Sequence, residues 1–424
     1  LEASGATEVR VSRDEGERLR FWAGRKAAFP AAGRISPDYY CMDGTIPRKR
    51  LGEMLKAIQQ MEKKYSMRCI NVFHAGDGNL HPLILFDANK PGDQHTAEAF
   101  GAEILELSVA LGGTITGEHG VGVEKLNSMC VQFSPAELAM MIAVKHAFDA
   151  PGLLNPGKAI PTLHRCAEYG KMHVRRGLLP FRAAALLTNR RTQNTPPMSI
   201  KALDSLIERV RVAREARGTL AIRGGGTKSF YGEPVQGRLL DVRCLSGITR
   251  YEPSELVITA RAGTPIAEVE AELARRNQYL AFEPPRYPDI ERPGQRGGTI
   301  GGMVATGLAG PSRAAVGGVR DYVLGLTLLT GKAEVLSFGG QVMKNVAGYD
   351  VSRLMAGSWG QLGVITEVSL KVLPVAPAEA TLRFDCGQAE ALKMLHAWGG
   401  QPLPLNASCW LEEGGAGQLY VRLR

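Results

Sequence analysis

Two histidines seven residues apart, His74 and His81, flank a loop reading Ala75-Gly76-Asp77-Gly78-Asn79-Leu80. A second loop, from Gly112 to Gly122, is rich in glycine and carries Glu118 followed by His119. Imidazole nitrogens and a carboxylate suit zinc or another borderline divalent ion. Two histidines with one carboxylate leave a coordination position open for a substrate. His74, His81 and Glu118 are therefore a candidate metal set, with His119 free to act as a base. The plainer alternative stays open here, because histidines at strand ends also serve simply to hydrogen-bond backbone. His95, His146, His164, His173 and His396 have no comparable setting.

The other concentration of chemistry lies in glycine. Gly224-Gly225-Gly226 follows a short apolar stretch, Leu220-Ala221-Ile222, and Thr227, Lys228 and Ser229 come next. A second cluster runs from Gly297 through Gly298, Thr299, Gly301 and Gly302 to Gly307, and a third from Gly357 to Gly363. Glycine at such density costs backbone entropy and needs a reason. One reason is that main-chain N–H groups must approach a large anionic ligand closely. The small residues from Gly297 to Gly310 suit the diphosphate and ribityl chain of FAD. The Walker spacing is absent. A GxGxxG pattern can be laid on the glycines only without its strand–helix context. The alternative is a glycine-rich α+β domain that binds nothing.

The elements that must position these groups follow from hydrophobic periodicity. In the first part the pattern predicts a short strand at Glu8–Val11 and a helix capped by Ser12 with Glu15 and running to about Phe29. A helix over Pro47–Lys64 follows, with Leu51, Leu55, Ile58 and Met61 on one face. Strands over Met67–Phe73 and His81–Phe86 form a hairpin-like return that brings the two imidazoles together. A helix over Gln94–Leu111 leads to the Glu118 loop. In the second part a helix over Lys201–Arg217 presents Leu203, Leu206, Ile207 and Val210 inward. Strands are expected at Leu239–Val242 and Leu256–Ala262. A helix beginning at Thr264-Pro265 carries Ile266, Val269 and Leu273. Tyr322–Leu329 and Ala333–Phe338 read as a strand pair, Leu354–Ser358 as helical, and Gly363–Leu373 as a half-buried strand that ends at Pro374.

A chain of 424 residues has room for two or three domains. Apolar residues are 44% and charged residues 22% of it, an ordinary globular balance. Much of the net charge of +9 falls between Arg165 and Arg223. That stretch lacks interleaved aromatics, so it reads as linker and solvated helix face, and no nucleic-acid partner is expected. The seven cysteines (Cys41, Cys69, Cys130, Cys166, Cys244, Cys386 and Cys409) are odd in number, scattered and without CxxC. They indicate no disulfide framework and no cysteine-held iron–sulfur cluster, and they fit a reducing cytoplasm. No apolar run has transmembrane length and no signal peptide is evident. Leu1 reads as the middle of something longer. The basic, aperiodic run Arg182 to Pro197 reads as a linker, or as a junction of two adjacent reading frames with Met198 as the start of the second.

His74-Ala75-Gly76-Asp77-Gly78-Asn79-Leu80-His81, Gly117-Glu118-His119-Gly120-Val121-Gly122 and Asn155-Pro156-Gly157-Lys158 together resemble the C-terminal substrate domain of FAD-linked 2-hydroxy-acid oxidases and dehydrogenases. In particular they resemble that of the larger flavin subunit of bacterial glycolate oxidases. Ile222-Arg223-Gly224-Gly225-Gly226-Thr227-Lys228, Gly298-Thr299-Ile300-Gly301-Gly302-Met303, Gly318-Val319-Arg320-Asp321 and Lys344-Asn345-Val346-Ala347-Gly348-Tyr349-Asp350 resemble the vanillyl-alcohol-oxidase type of FAD-binding domain, as in the smaller glycolate oxidase flavin subunit.

The resemblance implies an α+β fold. A two-lobed FAD-binding domain of the vanillyl-alcohol-oxidase (PCMH) type is preceded by a partial FAD-linked-oxidase C-terminal domain. The expected division is 1–175 for an N-terminally truncated substrate and metal domain, 176–198 for a linker or frame junction, 199–374 for the FAD domain, and 375–424 for the start of a truncated domain. The resemblance implies a divalent metal, zinc or manganese, on His74, His81 and Glu118. It also implies His119 as base, Asn79 near substrate and Arg25 on the substrate carboxylate. The lysine that several relatives have beyond a paired tyrosine is missing after Tyr39-Tyr40. FAD would be held by Arg223, Gly224, Gly225, Gly226, Thr227, Lys228, Gly298, Thr299, Gly301, Gly302 and Asp321, with Gly363 and Ile365 passing its adenine–ribityl side. The implied function is oxidation of a small 2-hydroxy acid to a 2-oxo acid, with an iron–sulfur subunit among the partners. The implied place is the cytoplasm, at the inner face of the membrane through the complex. The alternative is a non-catalytic FAD-binding or structural subunit of the same assembly.

Overall fold

The structure is a computed structural model that describes residues 7–161, 197–232, 236–288 and 297–424. Its first segment is organised on one buried strand. Strands β1 (Asp38–Cys41), β2 (Gly44–Thr45), β3 (Cys69–His74) and β4 (Asn79–Phe86) form one sheet in which every partner of β4 is antiparallel to it. β1 and β2 share one edge of β4, and β3 takes the other. β4 is buried from Asn79 through Leu85 without alternation, the pattern of a strand covered on both faces. Helix Asp93–Ala110 packs on it, burying Ala97, Phe100, Ile104 and Leu105. Helix Leu51–Tyr65 buries Ile58 and Met61 of the expected face together with Met54, while Leu51 and Leu55 are half-buried.

The expected strand at Glu8–Val11 is absent, because residues 8–11 stay irregular and exposed and have no strand to pair with. The helix that follows is shorter than expected. It spans Glu15–Lys26, and a separate turn occupies Ala28–Ala32. Asp14 caps it in place of Ser12, its carboxylate accepting the Glu17 N–H at 2.8 Å. A helix over Pro135–Phe148 was not foreseen. It starts at a capping box in which Ser134 Oγ accepts the Glu137 N–H while Glu137 accepts the Ser134 N–H. Cys130 is disulfide-bonded, against the reading of the cysteines, while Cys41, Cys69, Cys244, Cys386 and Cys409 are free.

In the second segment β5 (Leu220–Arg223) pairs in parallel with β6 (Arg238–Asp241). Next come β7 (Ile248–Glu252), β8 (Val257–Arg261), β9 (Gln278–Tyr279), β10 (Val323–Leu329), β11 (Val335–Gly339), β12 (Val364–Lys371) and β13 (Leu373–Pro374). An antiparallel sheet runs in the order β11-β10-β12-β8-β7, with β9 and β13 paired beside it. Helix Pro197–Glu215 buries Leu206 and Val210 on Leu240, Val242, Leu245, Leu329 and Val364. Helix Ile266–Ala274 buries Ile266, Val269 and Leu273. The helical turn expected at Leu354–Ser358 lies earlier, at Val351–Leu354, where Asp350 caps the Arg353 N–H at 2.9 Å. Beyond it, β14 (Ala380–Asp385), β15 (Leu405–Glu413) and β16 (Ala416–Leu423) form a sheet with helix Gln388–Gly399 around Ala391, Leu419 and Val421. Architecture throughout is mixed α+β, as expected.

The segments share one hydrophobic core, in which Met129, Leu138 and Met141 meet Phe338, Ala347 and Val351. Gly348 lies at the joint with φ +71°, and a Cβ there would sit 2.6 Å from the Met141 sulfur. Glycine is what lets the loop close onto the helix. Polar ties cross the same joint: Ser337 N–H to Glu137 at 2.7 Å, Arg48 to Glu255 at 3.0 Å, and Lys49 to Glu252. The expected linker lies almost wholly outside the described residues. Among the described residues, no helix is long and apolar enough to cross a membrane.

Candidate metal centre and flavin cradle

The β3–β4 hairpin places the two histidines by register. Val72 stands directly opposite His81, and His74 lies two residues on, opposite Asn79. Both imidazoles therefore share one face as a diagonal pair, with ring centroids 5.4 Å apart. The turn between them closes through the Asp77 and Gly78 N–H groups, which both donate to the His74 carbonyl at 3.0 Å.

Glu118 is brought to this face by Asp43, a residue the sequence did not single out. Asp43 is fully buried between β1 and β2. Its carboxylate accepts the Thr116 hydroxyl at 2.6 Å and the N–H groups of Gly117, Glu118 and His119 at 3.1, 3.0 and 2.8 Å. Successive main-chain N–H groups converging on one anion form a nest, here inverted so that the anion belongs to the protein. Lys125 completes it, with Nζ 3.5 Å from the Asp43 carboxylate and donating to the Asp43 carbonyl at 2.7 Å. Burial, the largest influence, pushes the Asp43 carboxyl up. The hydrogen bonds from Thr116 and the backbone, with the Lys125 charge, outweigh it and hold the group at about 2.

The result is a compact donor set. Ligand atoms of His74, His81 and Glu118 all lie within 4.8 Å of one another. Glu118 Oε2 is 3.5 Å from His81 Nε2, and Oε1 is 3.9 Å from His74 Nε2. His81 Nδ1 is buried without a hydrogen-bond partner and points toward Asp43 Oδ1 at 4.0 Å. That places a carboxylate behind the histidine, as behind many metal-bound imidazoles. These residues fit a divalent ion. Cys41, His81 and His119 form an overlapping set. Burial pushes the Cys41 thiol up to about 11, aided by Asp43, so the carboxylate-bearing set is the better one at neutral pH.

His119 is exposed and stacks on His81 with centroids 5.2 Å apart. Asn79, expected beside the substrate, is fully buried. Its amide lies 3.3 Å from His81 Nε2 and its carbonyl accepts the Thr45 hydroxyl at 3.2 Å, so it acts on the site by fixing His81. Gly117 makes room for it, because a Cβ there would fall 2.3 Å from Asn79 Oδ1. Arg25 belongs to helix Glu15–Lys26, but its side chain lies outside the described residues. From the other segment comes Lys344, whose Nζ contacts Glu118 Oε1 and lies 2.9 Å from Asp77 Oδ2. The hydrogen bond from Lys344 is the main cause holding the Glu118 carboxyl below its ordinary value. A cavity of about 480 Å³ opens beside this contact, lined by Gly117, Glu118, Met141, Lys344 and Tyr349.

The glycine loops of the second segment meet each other directly. A Cβ on Gly224 would fall 2.4 Å from Thr299 Oγ1, and one on Gly225 3.1 Å from the Gly298 Cα. Much of the glycine density thus serves the approach of loop to loop. Their N–H groups differ in availability. Those of Ile300 and Gly301 donate to Thr264 and Ala262, and that of Gly302 to Thr299 Oγ1. Those of Gly224, Gly225 and Gly226 donate to no protein group among the described residues. These free N–H groups fit a diphosphate, with the first loop supplying the donors. Gly301 has a packing role instead, since a Cβ there would strike Ala262 at 2.6 Å. Thr227 is buried beside them, and Lys228 Nζ lies 5.5 Å from the Tyr287 ring centre. Arg223 packs its guanidinium under Gly226. Asp321 spends its carboxylate on the Gly318 N–H at 2.8 Å, so it orders its own turn. Ile365 is a core residue paired with Leu328, and Gly363 lies against the Leu328 side chain.

Residues 1–159 match the family of FAD linked oxidases, C-terminal domain, and residues 199–339 match the FAD binding domain family. Glycolate oxidase subunit GlcD of Escherichia coli K12 is 65% identical over 178 residues, 42% of this chain and 36% of that protein. Glycolate oxidase subunit GlcE of the same organism is 48% identical over 219 residues, 52% of this chain and 59% of that protein. Subunit GlcD of Bacillus subtilis is 38% identical over 153 residues, 36% of this chain and 33% of that protein. The chain spans about a third of GlcD and three-fifths of GlcE. The FAD binding domain match supports FAD as cofactor.

Proposed function

We propose, for a chain that resembles the bacterial glycolate oxidase FAD-linked subunits in both of its halves, that it is a flavin-binding component of a 2-hydroxy-acid oxidase or dehydrogenase. The observation that carries this reading is the clustering of His74, His81 and Glu118 in contact with Lys344 of the flavin-type segment. When bound, a divalent ion on the first set would acidify a hydroxyl, and FAD would supply the hydride acceptor. The chain's own residues do the positioning. Asp43 fixes the backbone of Glu118 and His119, Asn79 fixes the His81 ring, and Gly224 to Gly226 offer N–H groups to the diphosphate. His119 is the proposed base for the proton of a substrate hydroxyl, and its exposure and its stacking on His81 support that role. Arg25 is proposed as a carboxylate contact from sequence alone.

The proposed substrate is a small 2-hydroxy acid such as glycolate, and the proposed partners are other subunits of a glycolate-oxidase-type complex, including an iron–sulfur subunit that takes the electrons. The proposed location is cytoplasmic, at the inner face of the membrane through that complex. A second reading, flavin binding without catalysis, is favoured by one observation: the only histidine after residue 198 is His396, on the terminal helix Gln388–Gly399. The test is anaerobic addition of glycolate to the full chain loaded with FAD and Mn²⁺. Flavin bleaching supports the oxidase; FAD that stays oxidised leaves only the flavin-binding reading.

A further inference from the structure

We propose that Lys344 is a second cation, besides the Arg25 read from sequence, that anchors the carboxylate of the 2-hydroxy acid beside the His74–His81–Glu118 centre. The inference rests on the oxidase reading above and names a residue of the second segment in the site of the first. Lys344 Nζ touches Glu118 Oε1 and lies 2.9 Å from Asp77 Oδ2, and its side chain is 27% exposed. The other carboxylate oxygen, Glu118 Oε2, is the one beside His81 Nε2 at 3.5 Å. Glu118 can thus hold an ion through Oε2 and the ammonium through Oε1 at the same time.

Charge then decides what comes next. The two carboxylates balance at most two of the three positive charges that a divalent ion and Lys344 bring together. Glu118 lies between the two cations but carries too little charge to neutralise both. One net positive charge remains, and a monoanionic carboxylate placed across the ion and the ammonium cancels it. A 2-hydroxy acid is such an anion, and its hydroxyl would then lie on the side of the ion and His119. The cavity of about 480 Å³ lined by Glu118 and Lys344 leaves room on this flank.

The experiment is a calorimetric titration of glycolate into the FAD- and Mn²⁺-loaded full chain, with Mn²⁺ affinity measured separately, for the native protein, K344M, K344R and E255Q. The last variant weakens a different tie between the segments, Arg48–Glu255, and so reports the effect of loosened docking. The expected result is that K344M weakens glycolate about tenfold or more, the scale of one charge-assisted contact. Its Mn²⁺ affinity should not fall, K344R should retain most of the glycolate affinity, and E255Q should change neither. Unchanged glycolate affinity in K344M, or an equal loss in E255Q, would overturn the proposal while leaving the oxidase reading intact. A native protein that binds Mn²⁺ but no glycolate would overturn the oxidase reading, and the role of Lys344 with it.

Discussion

The carboxylate of Asp43 accepts the backbone N–H of His119 at 2.8 Å. Through that bond, and its neighbours to Gly117 and Glu118, a buried charge sets the shape of the loop that carries the candidate metal ligand Glu118 and the proposed base His119. Asp43→Asn removes the charge that pairs with buried Lys125. The expected cost is about 3 kcal/mol, the scale for breaking a buried ion pair. Urea unfolding measures it, and Mn²⁺ affinity should fall as the loop loosens. If the substituted protein proved as stable as the parent, the nest would not be a source of order.

His81→Ala removes the ligand shared by the two candidate sets. Bound Mn²⁺ or Zn²⁺, counted by elemental analysis after dialysis, should drop to background. FAD content should stay, because the glycine loops belong to the other segment. Chelation of the native protein should do the same.

Gly348→Ala places a Cβ 2.6 Å from the Met141 sulfur at a φ of +71°. Overpacking and left-handed backbone together should cost about 2–4 kcal/mol. Because the contact joins the two segments, hydrogen exchange should rise at Met129 to Met141 and at Phe338 to Val351.

Gly225→Val pushes the first glycine loop off Gly298. FAD affinity, read by fluorescence quenching, should fall at least about tenfold if the amide cradle supplies one strong charged hydrogen bond. Gly301→Ala should instead lower stability through Ala262 and affect FAD only secondarily.

Glu283 ties the terminal module to the flavin lobe through Arg422 at 2.7 Å and Arg424 at 3.0 Å. Burial, the largest influence, raises its pKa, but the Arg422 hydrogen bond and the two arginine charges outweigh it and leave the carboxyl below its ordinary value. A depressed folded value means the tie is fully present above the unfolded range, about 4.3, and is lost as pH falls through the folded value. Limited proteolysis of residues 375–424 should therefore accelerate in acid, and Glu283→Gln should show that faster cutting already at neutral pH.

What the sequence made legible were features with local causes. The hairpin between His74 and His81 follows from strand periodicity and a glycine turn, and alternation within the β3–β4 register places both rings on one face. The glycine loops were legible as a close approach, but their partner was read only in part. Gly224, Gly225 and Gly301 are glycine because protein, not ligand, comes near. Asp43 and Lys344 were not legible, because their contacts to the Glu118 loop span 75 and 226 residues. No periodicity carries such pairings. The strand expected at Glu8–Val11 failed for a related reason: a strand needs a neighbour, and local pattern does not say whether one exists.

The most direct measurement is the visible flavin spectrum of the full chain, reconstituted with FAD and Mn²⁺ and mixed with glycolate without oxygen. A flavin bleached by the hydroxy acid, in the native protein but not in His81→Ala or after chelation, is the predicted result. A protein that holds both FAD and Mn²⁺ yet keeps its flavin oxidised would contradict a joint metal and flavin site built from the two segments.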